Sequence, residues 1–128
     1  MDLYINGKIA MVAASSQGIG FAVAEALANE GAIVSICSRN LENLKIAQRK
    51  LGSKHQAYVC NLQTEKDIEK WVDSTYNDLG PPSILVTNTG GPPVSTLDKT
   101  PISEWELGFK SILLSAVRLV DDLTSSPP

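Results

Sequence analysis

A run of small residues between an apolar segment and a helical pattern is the part of the sequence best suited to chemistry. It reads Ala14-Ser15-Ser16-Gln17-Gly18-Ile19-Gly20. The segment Ile9–Ala13 before it is apolar and of strand length, and Ile19, Val23 and Leu27 recur every four residues after it. Glycines let backbone approach a ligand closely, and a helix N-terminus offers unpaired N–H groups and positive partial charge. The stretch therefore predicts a phosphate-binding site.

The glycine spacing is weak support when it is taken alone. Dinucleotide-binding turns usually read G-x-G-x-x-G. Here Gly18 and Gly20 are the only glycines in the turn, and Ala14 stands four residues before Gly18. Because Ala14 carries a Cβ, we expect it to avoid the conformations that favour glycine. A plain strand–helix turn remains the alternative.

Strand and helix patterns alternate along the chain. The predicted strands are Ile9–Ala13, Ala32–Ser38, Gln56–Leu62 and Ser83–Thr87. The predicted helices are Gly18–Asn29, 41–51, 65–79 and Ser103–Leu123. Gly31 follows the first helix at its C-terminal end, and the second is capped by Asn40 and stopped by Gly52. A Thr64 and Asp67 capping pair opens the third helix, and Ser103 with Glu106 opens the fourth. This rhythm predicts one α/β domain with a parallel sheet.

Ligands of such sheets bind at the carboxyl ends of the strands, so the loops that follow the strands should line one site. All four loops are small or polar. The candidate cofactor-binding residues are Ala14, Ser15, Ser16, Gln17, Gly18, Ile19, Gly20, Ser38, Arg39, Asn40, Asn61, Leu62, Asn88, Thr89 and Gly90.

The loop after the second strand indicates which dinucleotide would bind. NAD sites usually carry an acidic residue there for the ribose 2′-hydroxyl, whereas NADP sites need a cation for the 2′-phosphate. The chain has Ser38-Arg39-Asn40 and no acid. A guanidinium suits a phosphate, so the loop favours NADP(H) over NAD(H). A surface arginine is the alternative.

Composition limits the partners. The 128 residues are 43% hydrophobic and 20% charged, with a net charge of −3. There is no basic stripe for nucleic acid, no apolar run of about 20 residues for a membrane and no signal-peptide pattern. We therefore expect a cytoplasmic protein that binds neither nucleic acid nor membrane.

The remaining reactive side chains have simpler interpretations. Cys37 and Cys60 lack metal-ligand spacing and are interpreted as reduced, buried thiols at the ends of neighbouring strands. His55, the only histidine, is interpreted as a surface residue. Trp71 and Tyr76 occur at helical spacing with apolar residues, which indicates core packing.

Taken together, these motifs resemble the N-terminal part of the short-chain dehydrogenase/reductase family, in particular its 3-oxoacyl-[acyl-carrier-protein] reductase-like branch. The residues that carry the resemblance are Ser15–Gly20, Arg39, Asn61-Leu62 and Thr87-Asn88-Thr89-Gly90. The resemblance implies a three-layer Rossmann-type fold with strand order 3-2-1-4. It also places Gly18, Ile19 and Gly20 at the pyrophosphate, Arg39 at the 2′-phosphate, Asn61 and Leu62 near the adenine, and Asn88 and Gly90 near the ribose.

The chain departs from the family pattern in several places. Ala14 and Asn61 stand where the family usually has Gly and Asp. Ile112 stands where it often has a helical Asn, and Ser111 is the nearest polar residue and only a weak substitute.

The family's catalytic Tyr-x-x-x-Lys pair is matched only by Tyr4–Lys8, which precedes the first strand and is interpreted as a coincidence. The resemblance implies that the segment with the true pair would follow Pro128, the last residue of the sequence. No catalytic residue is therefore assigned within the chain.

We therefore expect one NAD(P)-binding domain over residues 1–128 without the family's catalytic segment, as in a fragment, a truncated gene product or a trimmed chain. Three hypotheses follow: part of an NADP-dependent carbonyl reductase or alcohol dehydrogenase, a nucleotide-binding module without catalysis, or a degenerate interaction domain. The helix Ser103–Leu123 is apolar nearly all round, and in the family it helps to form a subunit interface. Self-association through this helix is therefore predicted.

Overall fold

Four parallel strands form the centre of the molecule. The computed structural model describes residues 2–89 and 97–125. In these residues the strands are β1 (Ile9–Val12), β2 (Ile33–Ser38), β3 (Gln56–Val59) and β4 (Ile84–Val86). They lie side by side in the order β3-β2-β1-β4, which confirms the predicted topology.

The strands are shorter than the apolar patterns predict, and β3 differs most. It ends at Val59, three residues before the predicted Leu62. The Cys60 N–H still donates to the Ser38 carbonyl, but the Asn61 N–H donates to the Asp67 side chain instead of to a strand. Because the Asn61 carbonyl also accepts from the N–H three residues on, the chain leaves the sheet there.

Helices cover both faces of the sheet. They are α1 (Gly18–Asn29), α2 (Leu41–Leu51), α3 (Glu65–Asp78), α4 (Ile102–Phe109) and α5 (Ser115–Ser125), with a 3₁₀ turn at Leu97–Lys99 and a π-helical segment at Lys110–Leu114. Successive residues of β1 point to opposite faces, so Met11 packs with Trp71 and Leu119 while Val12 packs with Ala24 and Leu44. The three layers agree with the predicted fold class.

Two predicted helix starts need correction. Thr64 is the N-cap of α3, as predicted, but its side chain makes no capping hydrogen bond, and the Asp67 carboxylate that was expected to pair with it accepts from the Asn61 N–H instead. The helix expected from Ser103 begins one residue earlier, at Ile102, and Pro101 is its N-cap. The carbonyl of this proline accepts from the N–H groups of the first helical turn.

Other caps follow the sequence. The Asn40 side chain accepts from the Asn43 N–H at 3.0 Å and caps α2. Gly31 follows α1 with a φ of +94°, a left-handed conformation that favours glycine at this position. The Gly7 N–H donates to the Gly31 carbonyl and holds the chain entering β1 beside the end of α1.

A chain of buried hydrogen bonds joins β2 to α3. The Thr75 hydroxyl donates to the Trp71 carbonyl, the Ser35 and Thr75 hydroxyl oxygens are 2.8 Å apart, and the Trp71 indole N–H donates to the Ser35 hydroxyl. Because Thr75 uses its proton on the helix, Ser35 must donate to Thr75. Trp71 is 1% exposed, which confirms its predicted core role.

The surface position predicted for His55 is wrong. This side chain is 2% exposed, and its Nδ1 accepts the Val34 N–H at 2.9 Å. Burial and the positive charge of Lys54 lower its pKa. The imidazole therefore takes the place of a backbone acceptor beside β2.

Candidate functional site

A cleft of about 920 Å³ opens where the strands end. Its size is that of a small-molecule or cofactor site. It is lined by Ala14, Ser16, Gln17, Gly18, Ile19, Ser38, Arg39, Asn40, Asn43, Cys60, Asn61, Leu62, Gln63, Asn88 and Thr89. The structure thus brings residues from all four predicted loops to one place.

The turn after β1 is shaped by its glycines. Gly18 has a φ of +62°, and a Cβ added to it would meet no atom within 4 Å, because that side faces open space. A Cβ on Gly20 would clash with the Ala14 carbonyl oxygen and come within 2.8 Å of the Asn88 Nδ2. Gly18 therefore supplies a backbone conformation with positive φ, and Gly20 allows the Ala14 carbonyl and the Asn88 amide to pack closely against the start of α1.

Ala14 does not behave as the sequence predicts. Its φ is +48°, in the left-handed region that its Cβ was expected to exclude. The Asn88 side chain donates to the Ala14 carbonyl at 3.1 Å and holds this turn against the loop after β4. An alanine thus occupies the conformation that a glycine would adopt more readily.

The first turn of α1 is open to an anion. Its N-cap is Gln17, whose side chain makes no capping hydrogen bond, and the turn contains no acidic residue. The N–H groups of this turn therefore have no capping side chain competing for them, and the helix dipole adds positive potential. This end of the cleft fits a phosphate or pyrophosphate.

Serine hydroxyls hold the turn in place. Ser15 is fully buried and does not line the cleft; its hydroxyl donates to the Val12 carbonyl at 2.6 Å and accepts from the Cys37 N–H. The Ser16 hydroxyl donates to the Ser38 hydroxyl at 2.9 Å, and Ser38 also accepts from the N–H of the α2 N-cap. Ser15 therefore supports the turn, and Ser16 connects it to the loop after β2.

Arg39 is exposed on the wall of the cleft next to this connection. It makes no hydrogen bond or ion pair with any other residue that the structure describes. Its guanidinium is therefore available to a ligand, and it lies beside the capped start of α2.

The loop after β3 forms another part of the cleft wall, to which it contributes Asn61, Leu62 and Gln63. Cys60 also lines the cleft, and both it and Cys37 are free and buried, as predicted. Burial, followed by the contact with Cys60, raises the pKa of the Cys37 thiol.

Three cleft residues are absent from the candidates chosen by sequence: Asn43, Cys60 and Gln63. Asn43 could have been found, because the first turn after an N-cap at a strand–helix junction faces the same edge of the sheet. Cys60 and Gln63 flank the predicted Asn61-Leu62 pair, but the early end of β3 that brings them to the cleft wall has no signal in the sequence.

Some predicted residues lie elsewhere. Tyr4 and Lys8 precede β1 and do not line the cleft. Gly90 lies outside the described residues, and so does the side chain of Ser111, whose backbone is part of the π-helical segment. Pro128 is also outside the described residues, so a catalytic segment following it stays a prediction that the structure does not test.

Two kinds of feature are absent from the part of the chain that the structure describes. Within those ranges, no group of three or more His, Cys, Asp or Glu residues could hold a metal ion. No helix there is long and apolar enough to span a bilayer.

A doubly wound parallel sheet with a glycine turn at its first strand defines a dinucleotide-binding α/β protein. The family model for short chain dehydrogenases matches residues 8–126. The chain therefore belongs to the short-chain dehydrogenase/reductase family.

Individual relatives agree with this assignment. Tropinone reductase-like 3 of Erythroxylum coca is 35% identical over 147 aligned residues, which cover 96% of this chain and 55% of that protein. The 3-oxoacyl-[acyl-carrier-protein] reductase of Mus musculus is 37% identical over 83 residues, which cover 65% of this chain and 35% of that protein.

Solved structures show the same fold. L-sorbose reductase of Gluconobacter frateurii, complexed with NADPH and L-sorbose, has a TM-score of 0.89 at 31% identity. The similarity covers 97% of this chain and 49% of the sorbose reductase. The chain thus spans about half the length of the plant and bacterial relatives, and less of the mouse protein.

Proposed function

We propose that this chain is the cofactor-binding part of an NADP(H)-dependent oxidoreductase that reduces a carbonyl group or oxidises an alcohol. The observation that carries the proposal is the cleft itself, where an open helix N-terminus and the Arg39 guanidinium lie about one ligand-sized space. The first suits a pyrophosphate, and the second suits a further phosphate.

The residues fit the parts of such a cofactor. Gly18, Ile19 and Gly20, with the turn from Ala14, would hold the pyrophosphate. Arg39, supported by Ser38 and Asn40, would bind the 2′-phosphate. Asn61 and Leu62 would contact the base, and Asn88, Thr89 and Gly90 the ribose. The bound nicotinamide would supply or accept a hydride.

The direction of the chemistry is proposed from the relatives. The plant, mouse and bacterial proteins named above are all reductases by name, and the bacterial structure contains NADPH. Within this class of oxidoreductase, an activity similar to that of the 3-oxoacyl-[acyl-carrier-protein] reductases is one possibility that we propose. Among the described cleft residues there is no Tyr-x-x-x-Lys pair to serve as the family's proton donor, since the match at Tyr4–Lys8 precedes β1.

For this reason a nucleotide-binding module without catalysis of its own is the second candidate. Both candidates require cofactor binding, and only the first requires hydride transfer by the whole protein. A binding experiment on this chain therefore tests what the two share.

The experiment is a fluorescence titration with NADPH beside NADH. We expect saturable binding with NADPH favoured. In Arg39→Ala the preference for NADPH should fall by about tenfold or more, because a charge-assisted bond to phosphate is lost. NADH affinity should change little.

Arg49→Ala is the matched control, because Arg49 is an exposed arginine in the last turn of α2 and does not line the cleft. It should leave both affinities unchanged. Equal binding of NADPH and NADH by the unmodified chain would contradict the NADP preference. Binding of neither would contradict cofactor binding altogether.

A further inference from the structure

Asn43 places a side-chain amide on the wall of the cleft, in the first turn of α2. Its backbone N–H donates to the Asn40 side chain at 3.0 Å. The two polar atoms of its own side chain have no hydrogen-bond partner among the residues that the structure describes. Asn43 is only partly buried, so its amide is available to a ligand in the cleft.

Helix geometry determines which part of the cleft this amide reaches. Side chains of an α-helix tilt towards its N-terminus and lie over the residue three or four positions earlier. For Asn43 that residue is the N-cap Asn40, which directly follows Arg39. Asn43 also shares one stripe of the helix with the buried Ala47, whereas Glu42 is exposed and does not line the cleft. The amide therefore shares the α2 end of the cleft with Arg39.

The two side chains at this end of the cleft suit the same kind of ligand group. The Arg39 guanidinium carries only donors, and the Asn43 amide can turn its Nδ2 donor to the ligand because no described residue fixes its orientation. A phosphate dianion has only acceptor oxygens, so it can use both donors at once, and hydrogen bonds to its charge are strong. A ribose hydroxyl both donates and accepts, so it depends less on a donor at this position.

We infer that Asn43 is a second residue that determines cofactor preference, because its amide donates to the 2′-phosphate that Arg39 binds. This inference rests on the proposed function, which assigns that phosphate to Arg39. Asn43 adds a donor from the helix without adding a charge. The preference for NADP(H) thus depends on two side chains, one in the loop after β2 and one in the first turn of α2.

The test is a series of substitutions at Asn43 in the full chain, each titrated by fluorescence with NADPH and with NADH. Asn43→Ala removes the donor, and we expect NADPH to bind about fivefold more weakly, while the NADH affinity changes by less than about twofold. Asn43→Asp replaces the donor with a negative charge and should lower the preference for NADPH further. Asn43→Lys supplies a charged donor and should raise that preference above the value for the unmodified chain.

The substitutions leave the cap of α2 in place, because Asn43 contributes only its backbone N–H to that cap. Asn77→Asp is the matched control for the added charge, since Asn77 is an exposed residue of α3 that does not line the cleft. It should leave the ratio of the NADH and NADPH dissociation constants unchanged.

Three results would overturn the inference. If that ratio were the same in all three Asn43 variants while the unmodified chain still preferred NADPH, the inference would fail and the proposed function would stand. The same holds if Asn43→Asp and Asn77→Asp lowered the ratio equally, because the effect would then not depend on the place of the charge. Binding of neither cofactor by the unmodified chain would overturn the inference and the proposed function together.

Discussion

Single atoms decide what the turn after β1 tolerates. At Gly20 no Cβ fits between the Ala14 carbonyl and the Asn88 amide. At Ala14 a Cβ is present although the backbone is left-handed. The glycines could be identified from the sequence, but the penalty at Ala14 is less decisive than expected. That penalty is about 1–2 kcal/mol, small enough for the surrounding contacts to offset.

His55 makes stability depend on pH. Its folded-state pKa is lowered, first by burial and then by Lys54, below the usual value of 6.5. Below that pH the unfolded chain takes up a proton that the folded chain refuses. The stabilisation present above about pH 6.5 is therefore lost as the pH falls through the folded-state pKa. We expect the free energy of unfolding, measured with urea, to fall between pH 7 and pH 5.

The variant His55→Asn isolates this effect, because an amide oxygen can accept the Val34 N–H without titrating. Its free energy of unfolding should fall less over the same range than that of the unmodified chain. Lys54→Ala, which removes the second cause, should lessen the fall slightly. If the free energy of unfolding of His55→Asn depended on pH in the same way as that of the unmodified chain, His55 would not be the source of the pH dependence.

At the scale of elements, helix bounds could be predicted from the sequence where apolar periodicity and capping residues mark them. The bounds of α1 and α2 were predicted to the residue, because apolar spacing and caps such as Asn40 and Gly31 coincide with their ends. The end of β3 was not predicted, since it depends on the hydrogen bond from Asn61 to Asp67, a contact of side chain and backbone across a turn. The π-helical segment Lys110–Leu114 likewise has no pattern that distinguishes it from α-helix.

The buried hydrogen bonds between β2 and α3 are predicted to stabilise the fold. Ser35→Ala leaves the buried Trp71 indole N–H without an acceptor. We expect it to lower the free energy of unfolding by about 1–3 kcal/mol, the cost of an unsatisfied buried group. Urea denaturation measures this. Ser53→Ala, at an exposed serine, should change stability by less than about 0.5 kcal/mol. Equal effects of the two substitutions would show that the network contributes nothing.

At the scale of the molecule, the segment from α4 to α5 leaves a broad apolar surface. Leu119 is buried against the core, but large side chains around it are 45–73% exposed: Ile102, Trp105, Leu107, Phe109, Ile112, Leu113, Val117 and Val120. Among them, Phe109, Leu113, Val117 and Val120 recur every three or four residues. Exposed apolar patches of this kind mark interaction surfaces.

We therefore predict that the chain self-associates through this surface. Sedimentation velocity should give an average mass above 13.7 kDa that rises with concentration. Val117→Glu should shift the protein towards the monomer, because it places a charge among apolar contacts.

Ile46→Glu is the matched control, since Ile46 on α2 is 49% exposed and Val117 is 53% exposed. It should leave the mass distribution unchanged. A monomer at high concentration for the unmodified chain would contradict self-association. An equal effect of both substitutions would place the contact elsewhere.

The hydroxyl of Ser38 accepts two hydrogen bonds, one from Ser16 in the first loop and one from Asn40 in the second. Two ligand-facing loops thus share one fixed point. Removing this hydroxyl would therefore disturb both loops at once, so a substitution at Ser38 would act on two parts of the cleft wall although it changes a single side chain.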